Sequence, residues 1–206
     1  MTEIFRSLQG ESASVGWPTV FVRTTGCPLR CHWCDTAYAF SGGRVMTLAA
    51  IAAEVATHGV RHVTVTGGEP LAQAATPDLL AMLCDAGHRV SLETSGALDI
   101  AGLDPRVVKV VDLKPPGSGE EGRNRWDNLA HLARGDELKF VIADRADYEW
   151  SMAQLARVPP TIDVLFSPVH GSLAPRELAD WIVADRLPVR FQLQLHKLLW
   201  GDEPGR

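Results

Sequence analysis

The chain has 206 residues, 46% of them hydrophobic, with 20 basic against 25 acidic side chains and a formal net charge of −5. At about 150 residues per domain this predicts one domain over residues 1–206, large enough for a core without disulfide or zinc staples. The acidic balance excludes a general phosphate-backbone binder, and no apolar run nears the roughly 20 residues that span a bilayer. Residues 1–6 lack the basic and apolar regions of a signal peptide, so the expectation is a soluble, cytoplasmic protein with no direct nucleic-acid or membrane partner.

Short β-branched runs alternate with helical stretches. The first predicted strand, 19–25, runs into a loop reading Cys27-Pro-Leu-Arg-Cys31-His-Trp-Cys34. A helix follows, opened by Thr47 as N-cap and closed by Gly59, with Leu48, Ile51, Ala52 and Val55 on one apolar stripe. Strand 61–66 leads into Gly67-Gly68-Glu69-Pro70. Thr76 then caps a second helix with Pro77 at its first position, and Gly87 stops it. Inside that helix Cys84, beside Leu83, reads as a packing residue. Strands 88–94 and 106–112 precede the polar, glycine-rich loop 115–125. Strand 136–142, a helix around 146–156, strand 161–167, a helix opening at Pro175 and strand 189–196 complete the pattern.

Mostly apolar strands flanked by helices predict a parallel sheet covered on its outer face. A complete eight-stranded barrel takes about 250 residues, so the predicted fold class is α/β, a partial, open parallel β/α barrel. Its C-terminal strand ends share one rim, where barrel enzymes place their sites. Six polar clusters are expected there: the cysteine loop, Gly67-Gly68-Glu69-Pro70, Glu93-Thr94-Ser95, Asp112-Leu113-Lys114, Ser167-Pro168-Val169-His170 and His196-Lys197. The exposed edges of an open barrel suit a homodimer.

Three of the four cysteines fall within eight residues, a spacing that favours ligation over bridging. Iron–sulfur clusters ordinarily take four cysteines; three leave one iron open to an outside chelator, and an open position marks chemistry rather than structure. Two other readings stand beside this one: zinc with His32 or a distant histidine as fourth ligand, and free buried thiols.

Together with Gly67-Gly68-Glu69-Pro70, the C-x3-C-x2-C loop resembles the radical S-adenosylmethionine superfamily. The resemblance implies a 4Fe–4S cluster on Cys27, Cys31 and Cys34 whose open iron chelates the amino and carboxylate groups of S-adenosylmethionine. Reductive cleavage then yields methionine and a 5′-deoxyadenosyl radical. Gly67 and Gly68, without a Cβ, let backbone approach the methionine amino group. Further segments are similar to the 7-carboxy-7-deazaguanine synthase family: Ile4-Phe5-Arg6-Ser7-Leu8-Gln9-Gly10-Glu11, Pro18-Thr19-Val20-Phe21-Val22-Arg23, Cys34-Asp35-Thr36 and Gln194-Leu195-His196-Lys197. That likeness implies radical ring contraction of 6-carboxy-5,6,7,8-tetrahydropterin to 7-carboxy-7-deazaguanine with loss of ammonia, a step toward the queuosine base. It also implies catalytic use of S-adenosylmethionine, a requirement for Mg2+, and an electron donor such as flavodoxin.

The same likeness assigns Leu8, Gln9, Gly10, Glu11, Arg23, Thr66 and His196 to the pterin. Gln9 and the backbone at Leu8 and Gly10 would meet its donor–acceptor edge. Glu11, counted with the cysteines as catalytic, would accept from the exocyclic amine, and Arg23 would pair with the carboxylate. Thr36 matches the magnesium ligand, a hydroxyl suited to an oxygen-seeking ion. Trp33, Cys34, Asp35, Gly68, Asp112, Leu113, Lys114, Ser167, Pro168, Val169 and His170 map onto S-adenosylmethionine contacts, with Glu93, Thr94 and Ser95 for the ribose. Trp33 offers a flat face to adenine, and Lys114 neutralises the methionine carboxylate. The family's terminal proline carboxylate is not carried over, because Gly205-Arg206 follow Pro204. A glycyl-radical activating enzyme and a zinc-stabilised binding module are the competing functions.

Overall fold

A computed structural model of the chain describes residues 1–201, 203 and 205; Pro204 and Arg206 lie outside the described residues. It opens with a strand the periodicity did not predict, β1 (Glu3–Leu8), paired antiparallel with β2 (Pro18–Arg23). The next strands are β3 (His62–Thr66), β4 (Arg89–Thr94), β5 (Val108–Leu113) and β6 (Glu137–Ile142). β7 (Asp163–Pro168) and the two-residue β8 (Arg190–Phe191) complete the sheet. From β2 onward every pairing is parallel, and spatial order equals chain order, with β1 and β8 at the edges. This is the open, partial β/α barrel.

Side-chain alternation divides the sheet into two faces. Val20, Val22, Val63, Val65, Val90 and Leu92 pack outward against Ile51 and Val55 of α1 (Leu48–Thr57) and Leu79, Leu80 and Leu83 of α2 (Thr76–Asp85). Val111, Leu113, Leu138, Phe140, Ile142, Val164 and Phe166 form a second outer layer. Tyr148 of α3 (Arg145–Gln154) and Leu178 and Ile182 of α4 (Pro175–Asp185) cover it. Each fully buried aliphatic or aromatic side chain contributes about 1.5–3 kcal/mol, so the outer face carries the stability. The inner face is free to be polar: Thr64 pairs with Ser91, Val110 with Glu137 and Asp112 with Lys139.

Thr47 caps α1 as its position suggests, its hydroxyl accepting from the Ala50 amide at 3.2 Å. Thr47→Ala is expected to lower stability by about 1 kcal/mol in denaturant unfolding, with the iron content unchanged.

The predicted strands at 19–25, 61–66, 88–94, 106–112, 136–142 and 161–167 lie within two residues of the observed bounds. Two expectations fail. Thr76 is the first residue of α2 rather than its cap, because its hydroxyl donates to the Pro70 carbonyl at 2.6 Å and Ala75 takes the cap position. Strand 189–196 shrinks to β8, and Leu195–Trp200 forms α5. His196 and Lys197 therefore sit on a helix and not at a strand end. The side chain of Gln192 leaves the ladder for Ser12, and the Leu195 amide donates to the Gly10 carbonyl at 3.0 Å. Those bonds draw the chain across the open edge toward β1.

Candidate active site

The antiparallel sense of β1 decides how the site is built. Leu8 pairs with Pro18, at the start of β2, whereas the cysteine loop leaves the far end of β2 after Arg23. Gln9, Gly10 and Glu11 thus enter from the N-terminal rim and floor the barrel. Five of the six polar clusters expected at the C-terminal rim follow parallel strands; the sixth, His196-Lys197, comes from α5. The Gln9–Glu11 segment and the cysteine loop approach the interior from opposite ends.

The floor is tied down at several points. Both backbone groups of Ser12 bond the Gln192 carboxamide, at 2.6 and 2.9 Å. Ser12 holds a left-handed φ of 66°, a strained state for a residue with a side chain, and these bonds retain it. The Ala13 amide donates to Glu137 at 2.9 Å. A Cβ on Gly10 would overlap the His196 imidazole, so this position admits only glycine with His196 in place.

At the rim, the cysteine loop is anchored by Leu29, only 1% exposed, and by the Gly26 amide donating to Ala39 at 2.8 Å. Arg30 folds back onto the carbonyls of Cys27 and Leu29 and lies 4.2 Å from the Phe40 ring. Loop 115–125 clamps it from the other side, through the His32 amide on the Ser118 carbonyl at 3.1 Å and His32 Nδ1 on Gly117 O at 2.9 Å. That contact ties the His32 ring to the loop. Cys27, Cys31 and Cys34 are half-buried free thiols, and burial raises the pKa of Cys27 and Cys31. Among the described residues, no three His, Cys, Asp or Glu side chains converge on a single-ion site. Three thiols on one loop suit a cluster whose ligands sit on separate irons.

Gly67-Gly68-Glu69-Pro70 locks onto that loop. A Cβ on Gly68 would collide with the Gly26 carbonyl, which also accepts the Glu69 amide at 2.7 Å. Glu69 is fully buried and accepts from Leu71 N at 3.0 Å, Thr94 Oγ1 at 2.9 Å, Ser95 N at 2.7 Å and Ser95 Oγ at 2.5 Å. One carboxylate thereby fixes the ends of β3 and β4 together. Nearby, Asp112 Oδ1 and Ser167 Oγ are buried without a hydrogen-bond partner. Buried polar atoms are rarely left so, and both lie on residues assigned to S-adenosylmethionine. The donor set and these two atoms fit that cofactor.

The interior between rim and floor holds a chain of alternating charge. Lys139 Nζ bonds Glu11 Oε2 and lies 3.6 Å from Asp112 Oδ2, which in turn lies 3.0 Å from Lys114 Nζ. Gln194 donates to the other Glu11 oxygen at 2.9 Å. Burial pushes the Glu11 carboxyl up, but the Lys139 charge and the bonds from Lys139 and Gln194 outweigh it, and its pKa falls below the ordinary value. Glu93 goes the other way. Burial and the negative Glu11 raise it, against the pull of Lys139. Gln9 ties the floor to β3 and β4, donating to Thr64 at 3.0 Å and to Glu93 at 3.1 Å, while Thr66 donates to Glu93 at 3.3 Å. Burial lowers the His196 pKa, leaving it neutral near pH 7.

The structure brings Gln9, Gly10, Glu11, Thr66, Glu93, Asp112, Lys114 and His196 around one interior. Arg23 lies at the rim with Nε on Glu3 at 2.8 Å and Nη1 on the Gly67 carbonyl at 3.3 Å. Leu113 points into the outer core, so only its backbone faces the rim. Val169 is buried with its amide on Ile142 O at 2.8 Å, and His170 is exposed. Thr36 Oγ1 lies 3.8 Å from Cys34 Sγ. Lys139 went unnoticed in the sequence. The signal was there: Glu137 and Lys139 are charges at alternate positions of a strand that is buried at every residue.

Residues 21–112 match the Radical SAM superfamily. A 7-carboxy-7-deazaguanine synthase of Chlorobaculum tepidum is 44% identical, covering 98% of this chain and 94% of its own length. One from Thermoplasma acidophilum is 37% identical over 100% of this chain and 99% of its own. Among solved structures, QueE from Escherichia coli superposes with a TM-score of 0.72 at 23% identity, over 95% of this chain and 93% of that one. Streptococcus suis SuiB bound to S-adenosylmethionine gives 0.57 at 16% identity, over 87% and 51%. These two speak for the fold; the curated relatives speak for the family. The chain belongs to the 7-carboxy-7-deazaguanine synthases of the radical S-adenosylmethionine superfamily.

Proposed function

We propose that the chain converts 6-carboxy-5,6,7,8-tetrahydropterin to 7-carboxy-7-deazaguanine and ammonia, the reaction class for which its relatives are named. The observation that carries this reading is the floor: Gln9 and Glu11 sit inside the barrel facing the cysteine-loop rim, a donor–acceptor set for a small heterocycle. Membership of the superfamily implies a 4Fe–4S cluster and S-adenosylmethionine, which when bound supply a carbon radical able to take hydrogen from the pterin.

The chain's own residues bind, orient and exclude water. Cys27, Cys31 and Cys34 hold the cluster. Gly68, Asp112, Lys114 and Ser167 receive S-adenosylmethionine, with the Asp112 and Ser167 oxygens gaining partners. Trp33, Asp35, Pro168, Val169 and His170 border the adenosine, and Leu113 contributes backbone. Glu11, ionised, accepts from the aminopyrimidine edge, which Gln9 and the backbone at Leu8 and Gly10 complete. Arg23 turns its remaining Nη2 to the pterin carboxylate. Glu93, its pKa raised by burial and by Glu11, accepts from Gln9 and Thr66 at the side of this edge. His196 closes the open edge against Gly10.

Thr36 supplies a hydroxyl to Mg2+. Thr36→Ala is expected to cut turnover roughly tenfold and remove its response to added Mg2+, read from a magnesium titration of initial rates. Residues 1–206 act as one domain, because Leu71 and Leu103 pack against both outer core layers. The cytoplasm is the proposed location; no helix among the described residues is long and apolar enough to cross a membrane. Exposed Arg30 beside the cysteines suits an acidic donor such as flavodoxin, and the open edges at β1 and β8 suit a homodimer.

The reduced, reconstituted protein with carboxytetrahydropterin and S-adenosylmethionine should yield a product with the mass of 7-carboxy-7-deazaguanine, S-adenosylmethionine not being consumed. Unchanged pterin beside accumulating 5′-deoxyadenosine would overturn the assignment.

A further inference from the structure

Lys139 is a lone ammonium on the inner face of β6, its side chain 11% exposed and 128 residues from its partner Glu11. It stands where the floor meets the rim, with Glu11 on one side and Asp112 on the other. Glu11 is held from two directions, Oε1 by Gln194 and Oε2 by Lys139. Each oxygen keeps a second lone pair, and a carboxylate fixed this way presents a two-pronged acceptor to an N–C–N edge carrying two hydrogens.

We infer that Lys139 is a positioning residue that fixes the charge and orientation of Glu11 for the aminopyrimidine edge of the pterin and couples that subsite to Asp112. The inference rests on the pterin reading above. Its physical basis is the cost of an uncompensated charge in the interior: without the ammonium, burial and the neighbouring Glu93 drive Glu11 toward its neutral form. A neutral carboxyl loses acceptor capacity, and the edge loses a partner. Charged or titratable groups face the pair from every side. They are Arg23 from β2, Glu93 from β4, Asp112 and Lys114 from the end of β5, Glu137 from β6 and His196 from α5. Among the described residues, Lys139 is the cation paired with both Glu11 and Asp112.

The test is binding of 6-carboxypterin, an oxidised analogue with the same edge and carboxylate, followed by its fluorescence on the full-length reconstituted protein from pH 6 to pH 8. The ratio of variant to wild-type affinity cancels the ligand's own ionisation. Lys139→Met should bind roughly 100-fold more weakly at pH 6 and recover to roughly tenfold weaker by pH 8, within the limit of tenfold per pH unit for one group. Lys139→Arg, which keeps the charge, should stay within about threefold of wild type with no slope. The double variant Glu11→Gln/Lys139→Met removes both charges, so it should bind weakly with no slope and folds even where the single variant does not. A purely structural role would weaken Lys139→Met equally at every pH. That result, wild-type affinity in Lys139→Met, or a slope surviving in the double variant overturns the inference alone. Wild-type protein that fails to bind the probe overturns the pterin reading beneath it.

Discussion

Gly68→Ala is expected to lose nearly all reconstitutable iron and to drop turnover by more than about 100-fold, with the fold retained. The new Cβ would meet backbone rather than a movable side chain: it would overlap the Gly26 carbonyl oxygen, 2.5 Å from Gly26 C and 3.2 Å from Cys27 Cβ. Overlap with backbone is relieved only by moving one of the two loops. The Gly26 carbonyl already accepts the Glu69 amide at 2.7 Å, so relief breaks that bond and displaces Cys27. Since one cluster must be met by three thiolates at once, a shift of about 1 Å at Cys27 is enough to prevent assembly. Iron and sulfide per chain, with visible absorbance, check this directly. A Gly68→Ala protein with full iron content and activity would show that the two loops do not depend on each other.

Glu69→Ala is expected to cost roughly 3 kcal/mol or more, because each buried donor left unsatisfied costs about 1–3 kcal/mol. Four donors lose their acceptor, two of them backbone amides at Leu71 and Ser95. For a chain of this length, that is a fall of about 6–12 °C in Tm. Glu69→Gln keeps one good acceptor and turns an NH2 group toward the remaining donors, so it should fall between the two. Thermal unfolding of the three proteins gives the order. Equal Tm for wild type and Glu69→Ala would mean that the β3 and β4 ends are held by packing alone.

What the sequence revealed and what it hid divide along a physical line. The cysteine loop and Gly67-Gly68-Glu69-Pro70 are contiguous, and each carries its own backbone geometry, so their chemistry is legible in a few letters. The parallel sheet is legible because the strand residues that face the helices are apolar. Hidden features depend on partners far away in the chain. β1 is an edge strand with one buried residue, Ser7, and no strong alternation, so the position of the Gln9–Glu11 floor opposite the rim is not legible from the sequence. Residues 195–200 have the apolar content of a strand, but Gly10 captures the Leu195 amide and the segment turns helical. Lys139 sits in an apolar strand and gains its meaning from Glu11, brought to it only by the closed floor. The same holds for loop 115–125, whose role as a clamp on His32 appears only once folded.

The proposed chemistry requires the three-thiol loop to leave one iron to S-adenosylmethionine at the rim above that floor. Electron–nuclear double resonance on the reduced, reconstituted protein, with the amino group labelled by 15N and the carboxylate by 17O, measures this at the metal. Coupling of both labelled nuclei to the cluster is the predicted result. A cluster signal that is identical with and without the labelled compound would contradict it.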